Sequence, residues 1–291
     1  MACLLRCKSV DWSISSIIAV CLIGLVGGCL GGMLGLGGSV FIIPALSLAL
    51  GPNQHLYQAA ALTANIFVAV AATRRHLGKG TIQPDILPWM VVSAGAMAVV
   101  GVLASNQIEP RPLAALFGLF LCYAAVAECI SLALRRPDAA GSERTRGHAT
   151  AVALTAGSAG GFAAGLLGIG GGAVMVPILR RFGRLPVRQA VATSSAAMIS
   201  ACIVGAISKN MSLDRLQDFG GQSLTIGSSL SLAALLSPMA MLGGTIGAAL
   251  VYRLPVMVTR GVLAALLAFA GYRMLSIGGQ SLLDALRSGA M

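Results

Sequence analysis

The chain has 291 residues, of which 57% are hydrophobic and only 10% charged, and its mean hydropathy is +0.87. That composition excludes a water-soluble globular protein, which must keep a polar face, and leaves an all-α integral membrane protein with almost no material for a soluble domain. The net charge of +11 rests on 20 Lys and Arg, but these fall mostly in short loops between apolar runs, so they read as loop charge and no nucleic-acid partner is expected.

Arg6 and Lys8 precede an apolar run over 14–26, and Cys29 follows Val26-Gly27-Gly28 in the manner of a lipoprotein cleavage site. The same glycine pattern recurs far downstream, so the run is read as an uncleaved first helix over about 13–34 rather than a signal peptide. A glycine-rich break follows, GLGGS from Gly35 to Ser39, and then a short helix over about 39–50 that contains Pro44. Three longer helices are predicted at about 58–74, 85–105 and 112–134. A polar linker, 135–149, separates this first half (1–134) from a second (150–291). The second half repeats the order: a helix at about 150–168, the break GIGGG, a short helix at about 173–182, and long helices at about 188–208, 222–251 and 255–276. The short helices are only about 15–18 Å long, half a bilayer.

The two halves read as copies of one plan. At an offset of 133, Gly24, Gly27, Gly28, Gly32, Gly35, Gly37, Gly38 and Pro44 meet Gly157, Gly160, Gly161, Gly165, Gly168, Gly170, Gly171 and Pro177. QAAALTAN from Gln58 meets QAVATSSA from Gln189 at offset 131, and Pro110 meets Pro255 at offset 145, the difference being absorbed by a loop around Lys209 to Gly221. Each half crosses four times if its short helix completes the crossing begun before it, and five times if the short helix counts separately, which inverts the repeats. The Lys/Arg tally across the two sides is 13 against 7 either way. The Arg-rich loop at Arg180, Arg181, Arg184 and Arg188 faces an uncharged counterpart, GPNQHLY, and that asymmetry favours inversion.

A broken helix inside lipid exposes backbone polar groups at several kcal/mol each, so it persists only where protein or a water-filled cavity satisfies them. Gly35, Gly37, Gly38, Gly168, Gly170 and Gly171 permit unusual backbone angles and close ligand approach. The short helices beginning at Ser39 and Gly172 present N–H groups and a positive dipole end, which favour an anion. Two such ends make a pseudo-symmetric anion site, as broken helices do in secondary transporters. Gly24, Gly28 and Gly32, by contrast, have the spacing of close helix packing. Alanine at Gly38 or Gly171 is therefore expected to cost more transport than alanine at Gly28 or Gly161.

Thr63, Asn65, Thr193, Ser194 and Ser195 follow the breaks and supply either oxyanion donors or interhelical hydrogen bonds. Glu128 lies in an apolar helix and meets Arg273 at offset 145, opposite charges at corresponding sites; they are candidates for ion coupling or for snorkelling helix-end charges. Asp85, Glu109, Asp214, Asp218, His55, His76 and His148 read as loop residues. With all histidines in loops, Ser39 has no base to make it a nucleophile, so no enzyme is expected. Cys3, Cys7, Cys21, Cys29, Cys122, Cys129 and Cys202 form no ligand pattern, so neither disulfide nor metal site follows.

GGMLGLGGSVFIIPAL and AGLLGIGGGAVMVPIL, each followed by an A-x-A-[LT]-[TS] segment, resemble the duplicated signature of the sulfite exporter TauE/SafE family, and the likeness runs to the closing GYRMLSIG. Ser39 stands where a third glycine is usual, and Leu62-Thr63-Ala64-Asn65 replaces the more typical Ala-Thr-Ser pattern. The resemblance implies a bacterial inner-membrane permease for sulfur-containing anions or related carboxylates, with no cofactor and driven by an ion gradient. The alternative on the same residues is a passive anion channel. The sequence does not disclose the anion, the direction, the coupling ion or the oligomeric state.

Overall fold

The computed structural model describes residues 13–35, 37–51, 53–133, 146–216, 224–250 and 256–287. Cys3, Arg6, Cys7, Lys8, Leu36, most of the linker, Asp218 and Pro255 lie outside them. Among the described residues ten α-helices run in the order α1 (Ile14–Leu34), α2 (Ser39–Ala49), α3 (Gln54–Leu77), α4 (Leu87–Asn106), α5 (Pro110–Ala133), α6 (Arg146–Leu167), α7 (Gly172–Arg181), α8 (Val187–Ser212), α9 (Ile226–Leu250) and α10 (Val256–Arg287). Among the described residues, seven are long and apolar enough to cross a membrane. The protein is thus an all-helical multi-pass membrane protein, with the order long, short, long, long, long occurring twice.

Three boundaries differ from expectation, and they move chemistry. α3 starts at Gln54 because Asn53 caps it, its side-chain oxygen accepting from the Leu56 N–H at 3.4 Å. His55 is therefore not a loop residue but a buried member of the first helical turn. His76 is buried in the last turn of the same helix, and His148 sits in α6. α8 runs on to Ser212, so Lys209 belongs to that helix and is fully buried rather than lying in a loop. α10 continues to Arg287, which leaves Arg273 well inside a helix instead of near its end.

Glycines set the packing. Along α1, a Cβ on Gly24 would meet the Leu236 backbone, on Gly28 that of Ala240, and on Gly32 that of Gly244, so α1 and α9 run parallel in backbone contact. Gly157, Gly161 and Gly165 hold α6 against Met90, Ala94 and Ala98 of α4 in the same way. Without a hydrophobic force between helices in lipid, such small-residue seams allow the close dispersion contact that associates them. Gly24, Gly28 and Gly32 are packing residues, as their spacing indicated, and each half's first helix docks on the other half's fourth.

Helix directions follow from the same contacts. On α5 and α10, Ala115 lies opposite Gly278, Gly118 opposite Leu275 and Cys122 opposite Gly271, so the two helices run antiparallel. α3 and α8 also run antiparallel, with His55 beside Lys209 and, further along, Leu62 beside Gly205. α2 folds back along α1, since Gly31 faces Gly38 while Gly27 faces Ile42. It returns towards the side from which α1 came and does not complete a crossing. Counterpart helices pointing in opposite directions is the geometry that five-crossing, inverted halves require. A single cysteine at exposed Gln107, on the His55–Lys209 end, and one at exposed Arg181, each in a background lacking native cysteines, are expected to label from opposite sides of the membrane with an impermeant thiol reagent. Same-side labelling would show parallel halves.

Candidate functional site

The two glycine breaks meet beside the middle of α3 and α8. In the first, Gly35 ends α1 in the left-handed region at φ 65° and Gly37 follows at φ 86°. In the second, Gly168, Gly170 and Gly171 have φ of 77°, 75° and 89°. Side chains disfavour this region by roughly 1–2 kcal/mol, so glycine is needed at these positions. Gly38 is different: its φ is −68°, and what confines it is the Gly27 carbonyl of α1, 2.7 Å from where a Cβ would sit.

Asn65 and Met198 stand between the breaks. A Cβ at Gly37 would lie 3.2 Å from the Asn65 side-chain nitrogen and 3.3 Å from the Met198 sulfur; at Gly170 the distances would be 3.0 and 2.9 Å. Asn65 Oδ1 accepts from the Gly38 N–H at 2.9 Å, and its Nδ2 donates to Ser39 Oγ at 2.8 Å. One buried amide thus caps the start of α2, satisfying a donor that the broken helix leaves open. The partner of Ser39 is an amide, not an imidazole. At offset 131 the position of Asn65 is taken by Ala196, so α8 offers no equivalent cap to the start of α7 at Gly171 and Gly172.

The remaining predicted residues divide. Ser194 donates to the Gly35 carbonyl at 3.3 Å and to the Val191 carbonyl at 3.0 Å, tying α8 to the first break. Gln58 of α3 does the reverse, donating to the Leu166 carbonyl at 3.2 Å and packing against Gly168 of the second break. Thr193 accepts from the Gln83 N–H at 3.1 Å and fastens the turn before α4. Thr63 donates to Ala59 of its own helix at 3.0 Å. Ser195 is buried and its hydroxyl has no hydrogen-bond partner among the described residues; at i, i+3 it shares a face with Met198. Glu128 and Arg273 are both half-buried, on α5 and α10. The antiparallel register sets Glu128 level with Ala265, about eight residues or roughly 12 Å along the axis from Arg273, so the two are correspondents by position and not a contact pair.

Sequence reasoning missed a second polar cluster. Lys209 Nζ lies 2.9 Å from His55 Nδ1, 2.8 Å from Ser105 Oγ and 2.8 Å from Asn106 Oδ1. It joins the ends of α8, α3 and α4. Ser105 in turn donates to Gln58 Oε1 at 3.2 Å, and Asn106 donates to Ser212 Oγ at 2.8 Å. The available signal was Ser105-Asn106 and Lys209-Asn210, polar pairs that close two long apolar runs.

The chain is 28% identical over 299 aligned residues to the "Probable membrane transporter protein MamO" of Paramagnetospirillum magneticum, covering 91% of this chain and 45% of that protein. It is 25% identical over 218 residues to the "Probable membrane transporter protein YunE" of Bacillus subtilis, covering 68% of this chain and 79% of the other. A protein of Methanocaldococcus jannaschii, "Probable membrane transporter protein MJ0441", is 28% identical over 198 residues, covering 64% of this chain and 70% of its own. The chain spans about half the length of the MamO proteins it matches, and no solved structure matches it. The family model Sulfite exporter TauE/SafE matches residues 20–274, from α1 through both glycine breaks into α10, and this membrane protein belongs to that family.

Proposed function

We propose that the protein carries a small anion, a sulfur-containing one such as sulfite or an organosulfonate or a related carboxylate, across a bacterial plasma membrane, between two inverted halves. The observation that supports this reading is the meeting of Gly37 and Gly170 at Asn65 and Met198. The backbone there is bare of side chains and two short helices begin beside it. The uncapped start of α7 supplies N–H groups at a positive dipole end. The buried Ser195 hydroxyl is a further donor. Asn65 gives the first half a built-in occupant of the position that the second half leaves for substrate. With inverted halves, the side bearing 13 of the 20 Lys and Arg, including the Arg180–Arg188 loop, is the cytoplasmic one.

The test is flux in proteoliposomes across a panel of sulfite, sulfonates, thiosulfate and short carboxylates. Saturable transport of at least one, raised by an ion gradient and competed by the others, is expected. Movement of cations or neutral solutes alone would overturn the anion assignment. Fast anion flux that no gradient can concentrate would replace the transporter with a channel.

A further inference from the structure

We propose that Lys209 and His55 form a proton-exchange site at one end of the bundle, and that it carries the proton coupled to anion movement. The coupling half of this rests on the anion-transport reading above; the proton site itself does not.

The hydrogen-bond inventory carries the argument. An ammonium has three N–H donors and no acceptor, and Lys209 Nζ has three partners, His55 Nδ1, Ser105 Oγ and Asn106 Oδ1, at 2.8–2.9 Å. Each is neutral or basic, so among the described residues no carboxylate is bonded to the buried cation. Removing one partner from a buried charge, or burying it without an opposite charge, is costly. The geometry also accommodates the neutral amine. It keeps two N–H donors for Ser105 and Asn106 and takes the imidazole Nδ1–H into its lone pair. His55 Nε2 is then left without its proton and open to take one up. Proton uptake therefore needs no movement of heavy atoms: a proton arrives at His55 Nε2, the Nδ1 proton passes to Lys209 Nζ, and the pair gains one positive charge. Other charged side chains at this end, Glu109, Arg111, Asp214 and Arg215, are exposed to solvent.

The site is also wired to the breaks. Ser105 bridges Lys209 to Gln58, and Gln58 holds the Leu166 carbonyl and packs on Gly168. A cation at Lys209 balances the charge of an anion held between the breaks, which gives proton and anion a reason to move together.

Two measurements test this. In nanodiscs the full chain, 15N-labelled at its three histidines, is expected to show a His55 tautomer step, from Nε2–H to Nδ1–H, as pH rises between about 5 and about 10. The step should vanish in Lys209→Gln, which takes no proton, and in Lys209→Arg, which does not release one. A wild-type signal with no step, or a step that persists in both variants, overturns the proton site whatever the protein carries. In proteoliposomes with radiolabelled thiosulfate, one-for-one coupling supports about tenfold accumulation per pH unit. Lys209→Gln is expected to retain measurable counterflow, weakened by the lost charge, and to lose the accumulation entirely. Full accumulation in that variant overturns the coupling role. If wild-type protein moves no thiosulfate, thiosulfate is not its anion, and the histidine titration still decides the proton site. Should Lys209→Gln fold poorly by thermal unfolding, Lys209→Arg, which retains the charge, carries both comparisons.

Discussion

Gly37→Ala is expected to reduce transport at least tenfold while Gly95→Ala leaves it within about twofold. At Gly37 the backbone has φ 86°, and a Cβ would lie 2.7 Å from the Ile169 carbonyl of the opposite break as well as 3.2 Å from the Asn65 amide. The backbone strain alone is about 1–2 kcal/mol, and the carbonyl cannot rotate away as a side-chain end can. The methyl group therefore pushes the two breaks apart at the point where they meet. Gly95 lies within α4, where a Cβ would find its nearest neighbour, Val204 Cγ2, at an ordinary 3.7 Å. Alanine there favours helix by up to about 1 kcal/mol. Flux normalised to folded protein distinguishes the two. Equal flux in both variants would mean that the meeting of the breaks does not matter to the substrate.

Gly28→Ala and Gly161→Ala are expected to lower thermal stability sharply, each by more than about 2 kcal/mol, the range in which overpacking a closely packed site falls. A Cβ at Gly28 would overlap the Ala240 backbone, and one at Gly161 the Ala94 backbone. Backbone against backbone leaves no rotamer to absorb the overlap, so α1 must part from α9, or α6 from α4. The ranking expected from sequence, in which alanine at Gly38 and Gly171 costs more transport and alanine at these positions mainly loosens packing, therefore has to be read with stability measured beside flux. Gly38 and Gly171 remain tightly confined by Gly27 and Gly160, but Gly28 and Gly161 are no easier. Detergent-solubilised thermal unfolding checks it; unfolding temperatures within a degree or two of the parent would contradict the seam.

The helical plan was legible because apolar runs of membrane length leave few alternatives, and the breaks were legible because glycine clusters do not otherwise interrupt such runs. The direction of the helices showed only in the Arg180–Arg188 loop and its uncharged counterpart, since total Lys and Arg counts come out equal for both topologies. The Gly28 seam shows a further limit: spacing announces that glycines pack, but not that they pack against a helix of the other half. Lys209 and His55 were hidden for a different reason. Polar residues at the ends of apolar runs look like loop in any sequence, and only tertiary contact shows that three helix ends converge on them. Among the breaks, Asn65 stands out in the sequence as a possible oxyanion donor, and its bond to Gly38 makes it a helix cap. Thr63, similar in sequence, bonds its own helix.

The crossed seams also bear on how the chain is made. Gly161 meets Ala94 of a helix already inserted, but Gly28 must wait for Ala240, roughly 210 residues later in the chain; at about 5–20 residues per second of synthesis that is roughly 10–40 s. During that interval α1 sits in lipid with its glycine face unmatched, so the nascent first half is assembled as an open half-bundle that only α9 can close. A ribosome halted before α9 would leave α1 without the helix it packs on.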